Sequence, residues 1–249
     1  MMFLGIVVAT LLLARLAREK GISRGFVYSS ALWIVLFGLV GARLVHVLDN
    51  LDLYKHNVAD AFAFWEGGLA WYGGLLGGLL AGAVCARVGN IPIGRFADAA
   101  APAIMVGLAI GRIGCTINGD AYGTPTSLPW AFIYTNPNDY ADLGVPGHPA
   151  PVYEMMWCLI VFGVLWRLRR RLRPDGALFL LMVAMYSFGR FVISWVRAEP
   201  AVLGPLHQAH IISLVLLVAS VYLLARRKVG WTTPPLSGQT ETPTPEAQP

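Results

Sequence analysis

Seven runs of apolar residues, separated by short charged or glycine-rich intervals, organise this chain. They cover Met1–Ala14, Phe26–Leu48, Leu69–Ala86, Phe96–Ile113, Val152–Leu168, Ala177–Val196 and Gln208–Ala225. About 20 apolar residues in a helix cross the hydrocarbon core of a bilayer. No water is available there, so backbone polar groups must be satisfied within the segment and each run is expected to be a helix. The first run is short for a span. It has no positive charge ahead of its apolar part and no small-residue cleavage site, so it does not read as a cleaved signal peptide. Arg15 and Arg18 at its end either snorkel or mark a span that starts upstream of Met1.

The intervals set the orientation. Thirteen of the nineteen Lys and Arg residues fall between runs one and two, three and four, five and six, or after run seven, and a fourteenth, Arg167, ends run five on the same side. The other five are Arg43, Lys55, Arg112, Arg190 and Arg197. Positive charge is retained on the cytoplasmic side. The predicted fold class is therefore an all-α integral membrane protein with seven transmembrane helices. Its N-terminus is outside, its C-terminus inside, and a long external loop joins helices 4 and 5. One membrane domain over residues 1–229 is expected, then a disordered cytoplasmic tail over 230–249, rich in Pro and Thr.

Composition agrees. Of 249 residues, 56% are hydrophobic and 13% charged, against about 25% charged in a soluble domain. The net charge of +5 is a topology signal, and no nucleic-acid partner is expected. Cys85, Cys115 and Cys158 show no pair spacing, so neither a disulfide framework nor a metal cluster is indicated, and no cofactor is expected.

The candidate chemistry lies where polar residues interrupt apolar runs. An arginine at mid-bilayer costs about 2.5–3.5 kcal/mol on insertion scales, so it usually faces a partner or a polar cavity. Arg43, Arg112, Arg190 and Arg197 sit at or inside run ends. Tyr186, Arg190, Ser194 and Arg197 follow at helical spacing and should share one face. Guanidinium groups bind phosphate oxygens bidentately and stay charged, and an anion at that depth is a phospholipid headgroup. After Arg112 comes Gly114-Cys115-Thr116-Ile117-Asn118-Gly119-Asp120-Ala121-Tyr122-Gly123, which opens a loop without Lys or Arg. The glycines of Gly67–Gly78 either let helices approach closely or expose backbone N–H groups to an anion.

These stretches carry a resemblance. Gly111-Arg112-Ile113-Gly114 with Asn118-Gly119-Asp120 and Gly123 resembles the signature of the phosphatidylglycerol–prolipoprotein diacylglyceryl transferases, enzymes of the bacterial cytoplasmic (inner) membrane. Gly67-Gly68 with Tyr72-Gly73-Gly74, His148-Pro149 through Tyr153-Glu154, and Tyr186 through Arg190 to Arg197 agree in the same order. The resemblance implies transfer of the diacylglyceryl group of phosphatidylglycerol to the lipobox cysteine thiol of a prolipoprotein. A thioether forms and glycerol 1-phosphate leaves. The partners implied are phosphatidylglycerol and the signal-peptide/lipobox segment of a prolipoprotein.

Site residues follow by the same route. Arg112 and Arg190 are implied at the phosphate and His148 or Tyr72 at the thiol. Asn118, Asp120, Gly123, Tyr186, Arg197, Arg43 and Glu154 are implied around the lipid headgroup. The chain also departs from the pattern. Tyr72 stands where many members have His, Cys115 where many have Asn, Asp120 and Ser194 where many have Glu, and His46 where Tyr is common. A phenol is a weaker base than imidazole at neutral pH. An alternative expectation is therefore a phospholipid-binding membrane protein that keeps the transferase scaffold without turnover.

Overall fold

A computed structural model describes residues 1–54, 62, 68, 70–135, 141–198, 201–203, 206–227 and 230–231. Its helices are α1 (Met2–Glu19), α2 (Arg24–Asp49), the short α3 (Leu51–Tyr54), α4 (Trp71–Val88), α5 (Ile93–Asn118), α6 (Ala150–Leu168), α7 (Ala177–Ile193) and α8 (Gln208–Arg226). A 3-10 turn over Ser194–Val196 extends α7. Two small antiparallel ribbons join the helices: β1 (Leu172–Arg173) with β4 (Gly230–Trp231), and β2 (Ala201–Leu203) with β3 (Leu206–His207). Ribbons were not expected of an all-α chain. In each, strand pairing satisfies backbone groups that have left a helix.

Among the described residues, five helices are long and apolar enough to cross a membrane: α2, α5, α6, α7 with its 3-10 turn, and α8. The molecule is a multi-pass membrane protein. The expected first and third spans are the exceptions. In α1 the helix takes in Arg15, Arg18 and Glu19, and the apolar part of α4, Tyr72–Val88, is shorter than a span. The expected tail lies outside the described residues from 232 onward, and Gly230 and Trp231 pair with Arg173 and Leu172.

One boundary matters for the site. The apolar run of the fourth span stops at Ile113, yet α5 continues to Asn118 and ends on Gly119 in the left-handed conformation, φ +66°. Helix hydrogen bonds do not require apolar side chains, and the stretch contains no proline. Glycine adopts φ > 0 without strain and closes the helix. Arg112 therefore lies inside the helix rather than at its end.

The helices pack in pairs, α2 on α4, α1 on α5, α5 on α6 and α7 on α8. Leu13, Ala17, Val27, Ala86, Phe96 and Ala99 form one buried cluster. Met105, Cys158, Val161, Leu165, Leu178 and Met182 form another. Large outward residues such as Leu32, Leu76 and Val215 stay exposed, as suits helices solvated by acyl chains. Asp98 of α5 is one of the buried charged groups. Its carboxylate accepts from the Gly176 and Phe179 backbone N–H groups at 2.9 Å each and from Lys20 at 3.3 Å. It thus caps α7 from another helix, the role a Ser or Asp at the N-cap usually plays.

The α2/α4 seam explains the glycine-rich stretch. A Cβ on Gly73 would stand 2.2 Å from the Gly41 carbonyl oxygen, and one on Gly77 2.3 Å from that of Phe37. Of the two readings of these glycines, close packing is the one seen at Gly73 and Gly77. Gly73→Ala should lower stability by about 1–3 kcal/mol, the cost of overpacking. Gly163→Ala, where nothing lies within 4 Å, should raise it by about 0.5–1 kcal/mol through helix propensity. Thermal unfolding of both variants in one detergent checks this; equal effects would remove the seam from the account.

Candidate active site

Glu154 lies in the second turn of α6, which opens with Pro149 and Pro151 at its N-terminal end. A carboxylate near that end is favoured by the helix dipole. Its side chain is 2% exposed. Three arginines meet it. Arg112 Nη2 of α5 stands 2.6 Å from Oε2. Arg190 Nη1 of α7 donates to Oε1, and Arg197 Nη1 donates to the same oxygen at 2.9 Å. Residues 42, 36 and 43 positions away in sequence are thus gathered on one buried carboxylate. Three guanidinium groups thus share one buried carboxylate. Guanidinium groups also match phosphate oxygens bidentately, so a cluster of this kind can take up an anion.

The helical stripe predicted on α7 holds for Tyr186, Arg190 and Ser194, whose hydroxyl donates to the Arg190 carbonyl at 2.7 Å. Tyr186 is within electrostatic reach of Arg112 and Glu154. Arg197 is different: it follows the 3-10 turn with extended backbone. The loop after α5 fixes it there. Gly123 forms a bridge with Arg197, Thr124 N–H donates to the Val196 carbonyl at 2.9 Å, and Gly123 N–H donates to that of His148 at 3.1 Å. A Cβ on Gly123 would stand 2.5 Å from the His148 carbonyl oxygen and 2.6 Å from that of Val196. Glycine is required there by close approach of three backbone segments.

The other candidates fall around this centre. Arg112 Nη1 lies 3.6 Å from Cys115 Sγ, and Cys115 also interacts with Asp120. Oδ1 of Asp120 is buried without a hydrogen-bond partner. Asn118 is the exposed last residue of α5. His148 Nδ1 is 3.4 Å from the Tyr153 hydroxyl, which accepts from Trp130 Nε1 at 2.8 Å. Arg43 and Tyr72 stand on the α2/α4 pair. Buried Arg43 donates to the Gly68 carbonyl at 3.0 Å and lies over the Tyr54 ring. Gly67 lies outside the described residues, while Gly68 has φ +68° and would, with a Cβ, clash with His46 and Arg43.

His46, noted in the sequence only as a departure from the family pattern, borders the Arg43 group. Two further contributors were not singled out from sequence. His207 Nδ1 lies 3.1 Å from the Ser194 carbonyl, and His207 N–H donates to His210 Nδ1 at 3.1 Å. These two histidines brace the turn that carries Arg197. A histidine pair at spacing three, just before a span, was the available signal.

A cluster of arginines on one buried carboxylate, set among apolar helices long enough to span a bilayer, defines the class as a multi-pass membrane protein. The comparisons agree in class and make it specific. A family model described as prolipoprotein diacylglyceryl transferase matches residues 1–226. A phosphatidylglycerol–prolipoprotein diacylglyceryl transferase of Frankia alni is 43% identical over 206 residues, 81% of this chain and 54% of that protein. Those of Clostridioides difficile and Geobacter sulfurreducens are 35% and 34% identical over 232 and 244 residues. Both alignments take in 92% of this chain, with 90% and 91% of the two relatives. The chain thus spans about half the length of the Frankia relative and about nine-tenths of the other two. It belongs to the prolipoprotein diacylglyceryl transferase family.

Removing one member of a buried charge pair costs about 3–5 kcal/mol. Glu154→Gln, which leaves three arginines facing one another, should be destabilised to that extent. Thermal or denaturant unfolding in detergent measures it. Stability equal to the parent protein would mean that Glu154 does not hold the arginines together.

Proposed function

We propose that this chain transfers the diacylglyceryl group of phosphatidylglycerol to the lipobox cysteine of a prolipoprotein. The observation that carries the reading is the convergence of Arg112, Arg190 and Arg197 on buried Glu154. In the proposed reaction the substrate thiolate attacks the glycerol carbon that bears the phosphate. A carbon–sulfur bond forms, the carbon–oxygen bond breaks, and glycerol 1-phosphate leaves with one more negative charge. Fixed positive groups aimed at charge that develops on the leaving group are the largest single source of such catalysis. Arg112 and Arg190 take that role, with Arg197 and Glu154 keeping them in place. Asp120 and Asn118 meet the headgroup hydroxyls, and Tyr186 flanks the phosphate.

The thiol must lose its proton to become the nucleophile. His148 is the proposed acceptor because histidine is the side chain that most often serves as a general base. Its contact with Tyr153, itself held by Trp130, supports an oriented ring. Tyr72 is the alternative acceptor.

The proposed setting is the bacterial cytoplasmic membrane, crossed seven times with α1 and α4 as the short crossings. The N-terminus and the loop after α5 face outward, where prolipoproteins emerge, and the membrane domain covers residues 1–229 ahead of a cytoplasmic tail. In a background with Cys85, Cys115 and Cys158 replaced by Ala, Ser127→Cys should react with an impermeant maleimide in intact cells. Arg87→Cys should react only after lysis. The reverse pattern would put the arginines on the wrong side for this reaction.

Activity is tested by lipoprotein lipidation in transferase-depleted cells and by thioether formation on a lipobox peptide in phosphatidylglycerol micelles. The parent chain should support both. Arg112→Gln and Arg190→Gln should each lose about 10²–10³-fold in rate, the cost of one such donor. His148→Asn should lose rate while retaining phosphatidylglycerol binding. A parent chain that binds phosphatidylglycerol but forms no thioether would establish the non-catalytic alternative.

A further inference from the structure

The end of the bundle away from Arg112 holds a second charged site that the transfer reaction does not use. Asp98 and Arg112 both lie on α5, fourteen residues apart, about 21 Å along the axis at roughly 1.5 Å per residue. Beside Asp98 a cavity of about 590 Å³ opens between the C-terminal ends of α1 and α6 and the first turn of α5. Leu16, Ala99 and Pro102 form part of its wall. Its rim is charged, and the charges do not cancel.

Five cations line it: Lys20, Arg95, Arg169, Arg170 and Arg173. Three carboxylates face them, and each is already shared. Asp98 is engaged by Lys20 and by two backbone N–H groups. Asp175 is met by Arg95 at 3.1 Å, Arg173 at 3.9 Å and Lys20 at 4.0 Å. Glu19 is met by Arg170 at 3.0 Å and Arg169 at 3.5 Å. Two positive charges remain in excess, four of the five cations being arginines. Arg169 is further held in position, stacked over the Trp166 ring at 3.8 Å. Arg95 and Arg173 are 45% and 62% exposed and reach toward the open side.

We propose that this cavity binds a phosphate group, supplied in the membrane by the headgroup of an anionic phospholipid in the leaflet at that end. Three features converge on it. Guanidinium groups match phosphate oxygens bidentately. The unmatched charge equals that of a phosphate monoester or of two phosphodiesters. The cavity also lies at helix ends with an apolar wall, the setting in which basic pockets between helices take lipid headgroups. The site is independent of the transfer reaction and would stand if that reading failed.

The test uses the full chain in neutral detergent micelles with two radiolabelled probes, inorganic phosphate and dioleoyl phosphatidic acid. Arg95→Gln combined with Arg173→Gln should weaken phosphatidic acid binding at this site at least tenfold. Both side chains are exposed, so the chain should fold without them. Glu19→Gln removes a competing negative charge and should tighten binding several-fold, a gain that a merely structural role would not produce. Arg112→Gln should leave this component unchanged, which separates it from the Glu154 site. Phosphatidic acid binding far tighter than inorganic phosphate supports the lipid. Equal affinity for both overturns the lipid in favour of free phosphate. Wild-type binding of both probes by the double variant, or loss of all binding with Arg112→Gln alone, overturns the site.

Discussion

The active end of this molecule depends on one buried carboxylate. Glu154 draws Arg112, Arg190 and Arg197 into a single group from three segments of chain. Without it, the three guanidinium groups would repel one another in a poorly screened medium, where such repulsion is strong. With it, they converge, and the packing of those three segments rests on the same carboxylate.

The surrounding fold is arranged so that this group can keep its geometry. On one flank, α2 and α4 approach through Gly41, Gly73 and Gly77. That tight seam gives Arg43 a place on a rigid pair of helices. On the other flank, the loop that leaves α5 returns to pair with the exit of α7. Arg197 is held by backbone hydrogen bonds rather than by a helix. Membrane helices gain little from apolar contact with one another, because lipid is equally apolar. Close glycine packing and buried polar ties do more of the work here than in a soluble core.

Much of this was legible in the sequence. The apolar runs located the long helices, and Arg112, Arg190 and Arg197, marked at or inside run ends, meet at one carboxylate. What was harder to read was where polar residues continue a helix. From Gly114 to Asn118 the apolar pattern lapses although the backbone pattern does not, so α5 extends beyond its apolar run. The convergence on Glu154 was also hidden, since no local rule links positions some 40 residues apart. A usable signal was nevertheless present. Asp98 and Glu154 are the two carboxylates inside the seven apolar runs, and each ties two or more segments together. The seam at Gly73 and the bridge at Gly123 were visible as glycines, but sequence alone left open whether they served packing or a ligand.

Asp98 and Glu154 together have a mechanical consequence. Asp98, at the start of α5, grips the first turn of α7, and Arg112, near the end of α5, shares Glu154 with Arg190, near the end of α7. The two parallel helices are thus clamped at both ends, like the long sides of a frame with two fixed crosspieces. A frame closed at both ends resists shear, so its guanidinium groups hold their spacing before any ligand arrives. A group fixed in this way beforehand loses little freedom when a ligand binds it.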